Sequence, residues 1–227
     1  MNKDKILAFF SQERLSSYQS VEEHFDNLRL IAKITPKLAS IELILRNLLD
    51  CEKRQIDVDW LRNYPNIDIS SKIKKPETKP ETNRTPSHTQ LLSRLSLGEI
   101  IKIMNESNDE SNRMRSRIFS LQHLDFKRYD LSNRNFYKDV DNKPKFTNAD
   151  KARIVMNLIR VIRNRCFHWE NLLKTRTNKG KVYPRITTKF RGTIIGVAPQ
   201  NIEIFLIDVL KSFDEGLPNL IDGKHES

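Results

Sequence analysis

Apolar side chains recur at helical spacing along most of the chain, which predicts a largely α-helical protein. Ser20 and Glu23 form a capping box that predicts the start of a helix running to about Ile34. Thr35 and Pro36 predict the start of another helix, because proline favours the first helical position and disrupts a helix interior. That helix runs to about Arg54, and further periodic segments predict helices over about residues 3–13, 91–105, 110–124 and 199–213.

The clearest helical segment begins at a second capping box, formed by Thr147 and Asp150, and runs to about His168. Its apolar stripe comprises Val155, Leu158, Ile159, Ile162 and Cys166. The opposite side of this helix collects Arg153, Asn157, Arg160, Asn164 and His168. The segment therefore combines a core-facing stripe with a basic, polar face.

Residues 176–198 follow a different pattern, because β-branched residues are frequent there and Asn178-Lys179-Gly180 is typical of a tight turn. We therefore expect an all-α fold with a small β-hairpin-like insertion near 176–198. A single domain over residues 1–227 is expected. It contains a flexible linker at about 65–90, where four prolines interrupt a polar sequence, and a loop at about 125–148.

The composition argues against several classes of protein. No apolar run is long enough to span a bilayer, so no membrane partner is expected. Two cysteines are too few for a secreted disulfide scaffold, and the start lacks the features of a signal peptide, which favours a cytoplasmic location. The chain has 6 glycines and no Gly-rich phosphate loop, which argues against a nucleotide-binding α/β sheet. Metal-ligand spacing is absent, so no metal or other cofactor is expected.

The basic charge is concentrated in one segment. The formal net charge is +11, from 40 Lys and Arg against 29 Asp and Glu. Residues 150–191 contain 12 of these basic residues and only 2 of the acidic ones, which leaves the remainder of the chain nearly neutral. Such a one-sign segment favours a phosphate-bearing partner, and RNA is the expected one. The candidate RNA-binding residues are Arg153, Arg160, Arg165, Lys174 and Arg176.

The end of the basic helix carries the candidate chemistry. Histidine exchanges protons near neutral pH, so His168 can act as a general acid or base. Arg163 can neutralise charge that develops on a phosphate in the transition state. Asn164 lies four residues before His168 on the helix, where its amide can orient the imidazole. We therefore predict Arg163, Asn164 and His168 as catalytic residues.

This arrangement resembles the ribonuclease signature of HEPN proteins, in which four to six residues separate an arginine from a histidine and a polar residue commonly follows the arginine. Arg117 and His123 match the spacing too, but Ile118 follows that arginine and the surroundings are not basic, so we interpret this second match as coincidental. The expected number of chance matches in such a chain is about one.

A second block extends the resemblance to the Abi-like (abortive-infection) family of HEPN proteins. Glu42, followed four residues later by Arg46 and Asn47 on an apolar helix, is similar to the N-terminal block of that family. Residues 93–104 are similar to its middle segment, and residues 162–173 to its second block, so the resemblance covers most of the chain in order. His168-Trp169-Glu170 stands where the family usually has His-His-Glu. A tyrosine two residues after His168 is also missing, which makes HEPN toxins silenced by nucleotidylation a poorer match.

The resemblance implies a HEPN-like helical bundle and a metal-independent endoribonuclease of phage-defence or toxin–antitoxin type. It implies a homodimer in which the two motifs meet in a composite cleft. The resemblance further implies that His168 moves the proton while the ribose 2′-hydroxyl attacks phosphorus, and that Arg163 stabilises the pentacovalent phosphate. Two alternatives stay open: a non-catalytic RNA- or protein-binding HEPN module, and an interaction protein whose basic segment binds an acidic antitoxin.

Simpler interpretations accompany several of these residues. Glu42 and Arg46 are expected to form an ion pair one helical turn apart, with a supporting role for Glu42, Arg46 and Asn47 as the alternative. Cys166 lies on the apolar stripe and is expected in the core. For Trp169, packing beneath the cleft is favoured over stacking on a base.

Overall fold

The computed structural model describes residues 3–73, 85–106 and 108–223. Helices dominate these ranges, and two antiparallel hairpins accompany them. In chain order, the helices are α1 (Lys3–Phe10), α2 (Gln12–Leu15), α3 (Val21–Arg54), α4 (Trp60–Asn63), α5 (Ile67–Ile73), α6 (His88–Ser93), α7 (Leu97–Met104), α8 (Asp109–Ile118), α9 (Asn148–Phe167), α10 (Ile202–Lys211) and α11 (Leu217–Ile221). The strands are β1 (Thr175–Asn178), β2 (Lys181–Pro184), β3 (Ile186–Phe190) and β4 (Thr193–Val197).

The chain divides into two compact units. The first comprises the residues up to Ser40 and those from Phe119 onward, and the second comprises Ile41–Ile118. The core of the first unit is built around α9, whose predicted apolar stripe is fully buried. In the second unit, the buried side chains include Trp60 and Leu61 of α4 and most of α7.

The expectation of an all-α fold is wrong, because the two hairpins belong to the architecture of the first unit. β3 pairs with β4 in the register Ile186↔Val197 to Phe190↔Thr193, and β3 packs against α9. Ile186, Phe190, Ile195 and Val197 are all buried. β-branched and aromatic side chains suit such a half-buried pleated surface. The second hairpin is therefore part of the core, and the fold is helix-dominated mixed α/β.

Both hairpins close with two-residue turns of the same kind. Lys179-Gly180 joins β1 to β2, Arg191-Gly192 joins β3 to β4, and all four residues have positive φ angles. Two consecutive positive φ angles define the type I′ turn, whose twist matches that of the paired strands. The turn predicted at Asn178-Lys179-Gly180 is therefore confirmed, whereas the second turn, Arg191-Gly192, was not predicted from the sequence.

The predicted break at Thr35-Pro36 is wrong, because α3 continues through Pro36. Proline removes one backbone N–H, and the hydroxyl of Thr35 donates to the carbonyl of Ile31 at 2.6 Å within the same turn. Pro36 is exposed, so its ring faces away from the buried stripe. Burial of Ile31, Ile34 and Leu38 on either side of the proline stabilises the continuous helix.

Two loop predictions concern longer segments. Helix α5 occupies residues 67–73 of the expected linker, and residues 74–84 lie outside the described residues. The 125–148 segment contains one short 3₁₀ helix, Phe126–Arg128, and four buried aromatic side chains. Asn133 fastens it by donating to the carbonyls of Phe126 and Gly196, at 2.8 and 2.7 Å. The loop is therefore anchored by burial and by a buried amide.

Candidate functional site

The candidate site lies where α9 ends, and its backbone forms a regular helix-terminating motif. The amide of Trp169 donates to the carbonyl of Cys166 at 3.1 Å, and that of Glu170 donates to Arg165 at 2.9 Å. These two bonds define a Schellman motif with Trp169 in the left-handed position. Its φ angle is +56°. Glycine is usual there, and an L side chain in this conformation costs about 1 kcal/mol.

An open cleft of about 370 Å³ surrounds this helix end. Arg165 and His168 reach it from α9, and the residues after the helix form one of its walls. Residues from the segment between α1 and α3, together with Arg185 between β2 and β3, complete the lining. The described residues that line the cleft are Ser11, Glu13, Arg14, Ser17, Tyr18, Arg165, His168, Trp169, Glu170, Asn171, Lys174 and Arg185.

The cleft has a basic character. Its lining includes Arg14, Arg165, Lys174 and Arg185, against two glutamates. One of those glutamates, Glu170, forms an ion pair with Arg165 at 2.9 Å. Opposing acidic charge is therefore sparse, and the cleft can attract a phosphate group.

Long-range hydrogen bonds hold the wall that follows α9. Arg14 donates to the carbonyl of Trp169 at 2.6 Å. Asn27 is fully buried, donates to the carbonyl of Glu170 at 3.1 Å and accepts from the amide of Leu172 at 2.8 Å. Asn171 donates to the carbonyl of Ser17 at 2.7 Å. Residues more than 140 positions earlier in the chain therefore set the conformation of this wall.

Tyr18, which lines the cleft, is hydrogen-bonded to Asn27 of α3. Asn27 donates to the Tyr18 hydroxyl at 3.1 Å. Burial raises the pKa of the Tyr18 phenol, with a smaller opposing effect from Arg14. The phenol is therefore protonated at neutral pH and acts as a neutral hydrogen-bonding group.

His168 is the predicted catalytic residue that the cleft contains. It caps α9, its backbone amide donates to the carbonyl of Asn164 at 3.0 Å, and its side chain is exposed. Asn164 is exposed as well, and no hydrogen bond joins the two side chains within the described structure. Asn164 thus contributes its carbonyl to the helix end.

Arg163 occupies a different environment. It is not among the described residues that line the cleft. Its guanidinium lies over the ring of Phe167, 4.9 Å from the centroid, a cation–π arrangement one turn further along α9. Within one chain, the basic group of α9 that accompanies His168 in the cleft is Arg165 instead.

The residues predicted to support the site lie in the second unit. Arg46 contacts Glu42 at 3.2 Å and donates to the carbonyl of Leu95 at 2.9 Å. Both partners of the ion pair are half-buried, and Asn47 is exposed. The observed contacts therefore match the simpler interpretation of Glu42 and Arg46 as an ion pair within one helix.

The predicted RNA-binding residues divide between several surfaces of the first unit. Arg165 and Lys174 line the cleft at His168, and Arg160 is exposed on α9. Arg176 lines a second open cleft of about 590 Å³ beside the hairpins, together with Arg134 and Lys138. Arg153 lies over the ring of Phe190, 5.7 Å from its centroid.

Cys166 is not a candidate nucleophile at this site. Cys166 is buried, as expected, with its sulfur 3.7 Å from the Thr35 hydroxyl, and burial raises the pKa of its thiol. A buried, protonated thiol is a poor nucleophile.

Among the described residues, no group of three or more His, Cys, Asp or Glu side chains could hold a metal ion. Over the same part of the chain, no helix has the length and apolar character needed to cross a membrane.

Arg14, Tyr18 and Asn27 were not predicted from the sequence. No local motif marks them, because their roles depend on contacts with a segment far away in the chain. Comparison with known protein families, curated proteins and solved structures gives no match to this chain. The resemblance to Abi-like HEPN proteins therefore stays a prediction.

Proposed function

We propose that this protein is a metal-independent endoribonuclease of the HEPN type, acting in phage defence or as a toxin. The observation that carries the proposal is the exposed imidazole of His168 in a cleft that contains four Lys and Arg side chains. Basic side chains supply the affinity for the RNA backbone. The histidine supplies proton transfer near neutral pH.

In the proposed reaction, His168 accepts the proton of a ribose 2′-hydroxyl. The 2′-oxygen forms a bond to the adjacent phosphorus while the bond from phosphorus to the 5′-oxygen breaks. The products are a 2′,3′-cyclic phosphate and a 5′-hydroxyl end, and the leaving oxygen takes up a proton. DNA lacks the 2′-hydroxyl, so the reaction is confined to RNA.

An arginine is required to stabilise the negative charge of the pentacovalent phosphate. The family resemblance assigns this role to Arg163, and the cleft geometry favours Arg165, which lines the cleft with His168. Pairing of two copies reconciles the two assignments, because Arg163 of one copy can then contribute to a composite cleft. A homodimer is therefore part of the proposal.

The test uses matched variants incubated with single-stranded RNA in the presence of EDTA. His168→Ala is expected to reduce cleavage at least 100-fold, the usual contribution of a general acid–base residue. His123→Ala is the control, because His123 is also exposed and belongs to the coincidental arginine–histidine match. Arg163→Ala and Arg165→Ala are compared in parallel, and the arginine that stabilises the phosphate is expected to lose about 100-fold or more.

The ends of the RNA and the solution mass complete this test. Cyclic phosphate ends and a dimeric mass are expected. Undiminished cleavage by His168→Ala, or activity that disappears with EDTA and returns with a metal, would contradict the mechanism. A strict monomer that loses activity only with Arg165→Ala would remove the composite cleft and retain the nuclease.

A non-catalytic RNA-binding module is the second candidate, and the position of Arg163 outside the lining of the cleft favours it. Such a module binds RNA with a steep dependence on salt and yields no cleaved product. Competition between RNA and an acidic protein would identify the related case, in which the basic segment binds an antitoxin.

A further inference from the structure

Trp169 combines an unfavourable backbone conformation with an exposed side chain. It occupies the left-handed position of the Schellman motif, where glycine is favoured. The residue is 55% exposed, so burial does not compensate for this conformation, and the expectation that it packs beneath the cleft is wrong. Within the described residues, no aromatic ring packs against it.

The backbone on either side of Trp169 is held firmly. Arg14 binds its carbonyl, and Asn27 binds the carbonyl of the next residue. The indole is thus presented from a rigid support and not from a loose loop. It lines the same cleft as His168, Lys174 and Arg185.

An exposed indole beside several cationic side chains has the two features of a site for single-stranded nucleic acid, an aromatic surface for a base and positive charge for its phosphates. We propose that Trp169 stacks against one unpaired nucleobase and so positions the adjacent phosphate at His168. This inference rests on the proposed ribonuclease function and deepens it. The cleft volume of about 370 Å³ lies in the range of small-ligand sites.

This role of Trp169 predicts a preference for unpaired RNA over duplex RNA. A base within a duplex is already stacked on its neighbours, and its face is inaccessible to a side chain. The substrate is therefore an unpaired nucleotide, and Trp169 is a positioning residue for it. Lys174 and Arg185 bind phosphates of either form by charge alone.

Trp169→Gly is a suitable test, because glycine fits the left-handed backbone and the substitution removes the side chain without straining the main chain. The measurement is the affinity for a ten-nucleotide single-stranded RNA, by fluorescence anisotropy in the His168→Ala background so that the RNA stays intact. Trp169→Gly is expected to bind about 10-fold more weakly. Its thermal stability is expected to equal or exceed that of the parent, and Trp169→Phe is expected to retain most of the affinity.

Two further readouts leave the fold unaltered. RNA with abasic sites in place of its bases is expected to lose a similar factor with the parent protein and almost nothing further with Trp169→Gly. Binding of intact RNA is expected to quench the fluorescence of Trp169, whereas Trp60 is buried and bonded to Asp50, so it serves as an internal reference.

Equal affinity of Trp169→Gly and the parent for intact RNA would overturn the stacking role. A change in solution mass without a change in RNA affinity would assign Trp169 to an interface between copies and overturn it as well. If quenching and the loss of affinity are observed but wild-type protein never cleaves RNA, the stacking site stands and the nuclease falls. If wild-type protein cleaves RNA and Trp169→Gly leaves that cleavage unaffected, the nuclease is retained and the stacking role is rejected.

Discussion

At the residue scale, His24 is a buried polar side chain whose ring makes no hydrogen bond to the described part of the chain. It is 1% exposed, and its two ring nitrogens have no hydrogen-bond partner within the described structure. Phe10, Tyr18 and Phe25 surround the ring at centroid distances of 4.9 to 5.4 Å. Burial, together with the charge of Arg14, lowers the pKa of His24. The folded protein therefore favours the neutral imidazole.

The predicted consequence is a loss of stability in mild acid. Below the ordinary histidine pKa of about 6.5, the unfolded chain binds a proton that folded His24 does not, so the free energy of unfolding falls as the pH drops from 7.5 to 5.5. His24→Phe is expected to flatten this dependence and to add about 1 kcal/mol at pH 5.5. Urea unfolding at both pH values measures it, with exposed His123→Gln as the control. Identical pH dependence of His24→Phe and wild type would contradict the prediction.

Lys151 shows, also at the residue scale, that not every basic residue of a charged segment is exposed and able to bind RNA. It belongs to the basic 150–191 segment, yet it is 9% exposed. Its ammonium donates to the carbonyls of Leu121, Gln122 and Leu124 at 3.1, 2.7 and 2.8 Å. Burial lowers its pKa. Lys151 therefore serves the structure of the first unit and does not contribute to RNA binding.

At the scale of elements, the two hairpins offer a matched pair of turn glycines. Gly180 and Gly192 have φ angles of +74° and +80° in equivalent positions. A Cβ atom at Gly180 would meet nothing within 4 Å, whereas one at Gly192 would lie 1.8 Å from Oδ2 of Asp139. Both positions thus require a residue that tolerates a positive φ angle. Only Gly192, in the hairpin that packs against α9, also lacks space for a Cβ atom.

Alanine substitution should separate these two requirements. Gly180→Ala is expected to cost about 1 kcal/mol, the usual penalty of a left-handed L residue. Gly192→Ala is expected to cost about 1 to 2 kcal/mol more, because Asp139 must move. Urea denaturation gives both values, and Asp139→Ala in combination with Gly192→Ala is expected to recover the additional loss. Equal costs at the two glycines would show that the contact with Asp139 has no energetic weight.

Elements marked by local signals could be predicted from sequence, and those that depend on burial could not. The capping box of Thr147 and Asp150 is present as predicted at the start of α9. Ser96 and Glu99 form another capping box, which divides the predicted helix over 91–105 into α6 and α7. This capping box is a local signal, so the division into two helices was predictable from the sequence. Continuation of α3 through Pro36 was not readable, because packing of the helix outweighs the local preference of proline.

At the scale of the whole molecule, the basic cleft predicts a strong dependence of RNA affinity on salt. Each phosphate that a cation neutralises in single-stranded RNA adds about 0.7 to the slope of log affinity against log salt concentration. Lys174 and Arg185 are exposed and line the cleft, so they are candidates for such contacts.

Lys174→Gln with Arg185→Gln is expected to reduce that slope by about 1.4 and to leave thermal stability unchanged. The control is Arg54→Gln with Arg113→Gln, which removes the same charge from exposed arginines of the second unit. RNA binding of both double variants is measured between 50 and about 200 mM salt. An equal reduction in both would indicate that net charge alone, and not the cleft, governs binding.

The candidate site was predictable only in part. His168, Arg165 and Lys174 follow from a basic helix and its charge pattern, and all three line the cleft. The spacing of Arg163 and His168 suggested a pair, but Arg163 lies over Phe167 instead. Arg14 and Asn27 belong to the site through backbone contacts with residues 169 and 170, and no spacing rule connects positions so far apart.

The sequence by itself determined the concentration of positive charge, the extent of α9 and the first hairpin turn. Caps, turns and helical periodicity act within a few residues, so a chain can specify them locally. Tertiary structure decided that the second hairpin enters the core, that Lys151 is buried and that Trp169 is presented beside His168. Those outcomes depend on which distant surfaces exclude water together and which buried amides find partners, and only the folded chain sets these contacts.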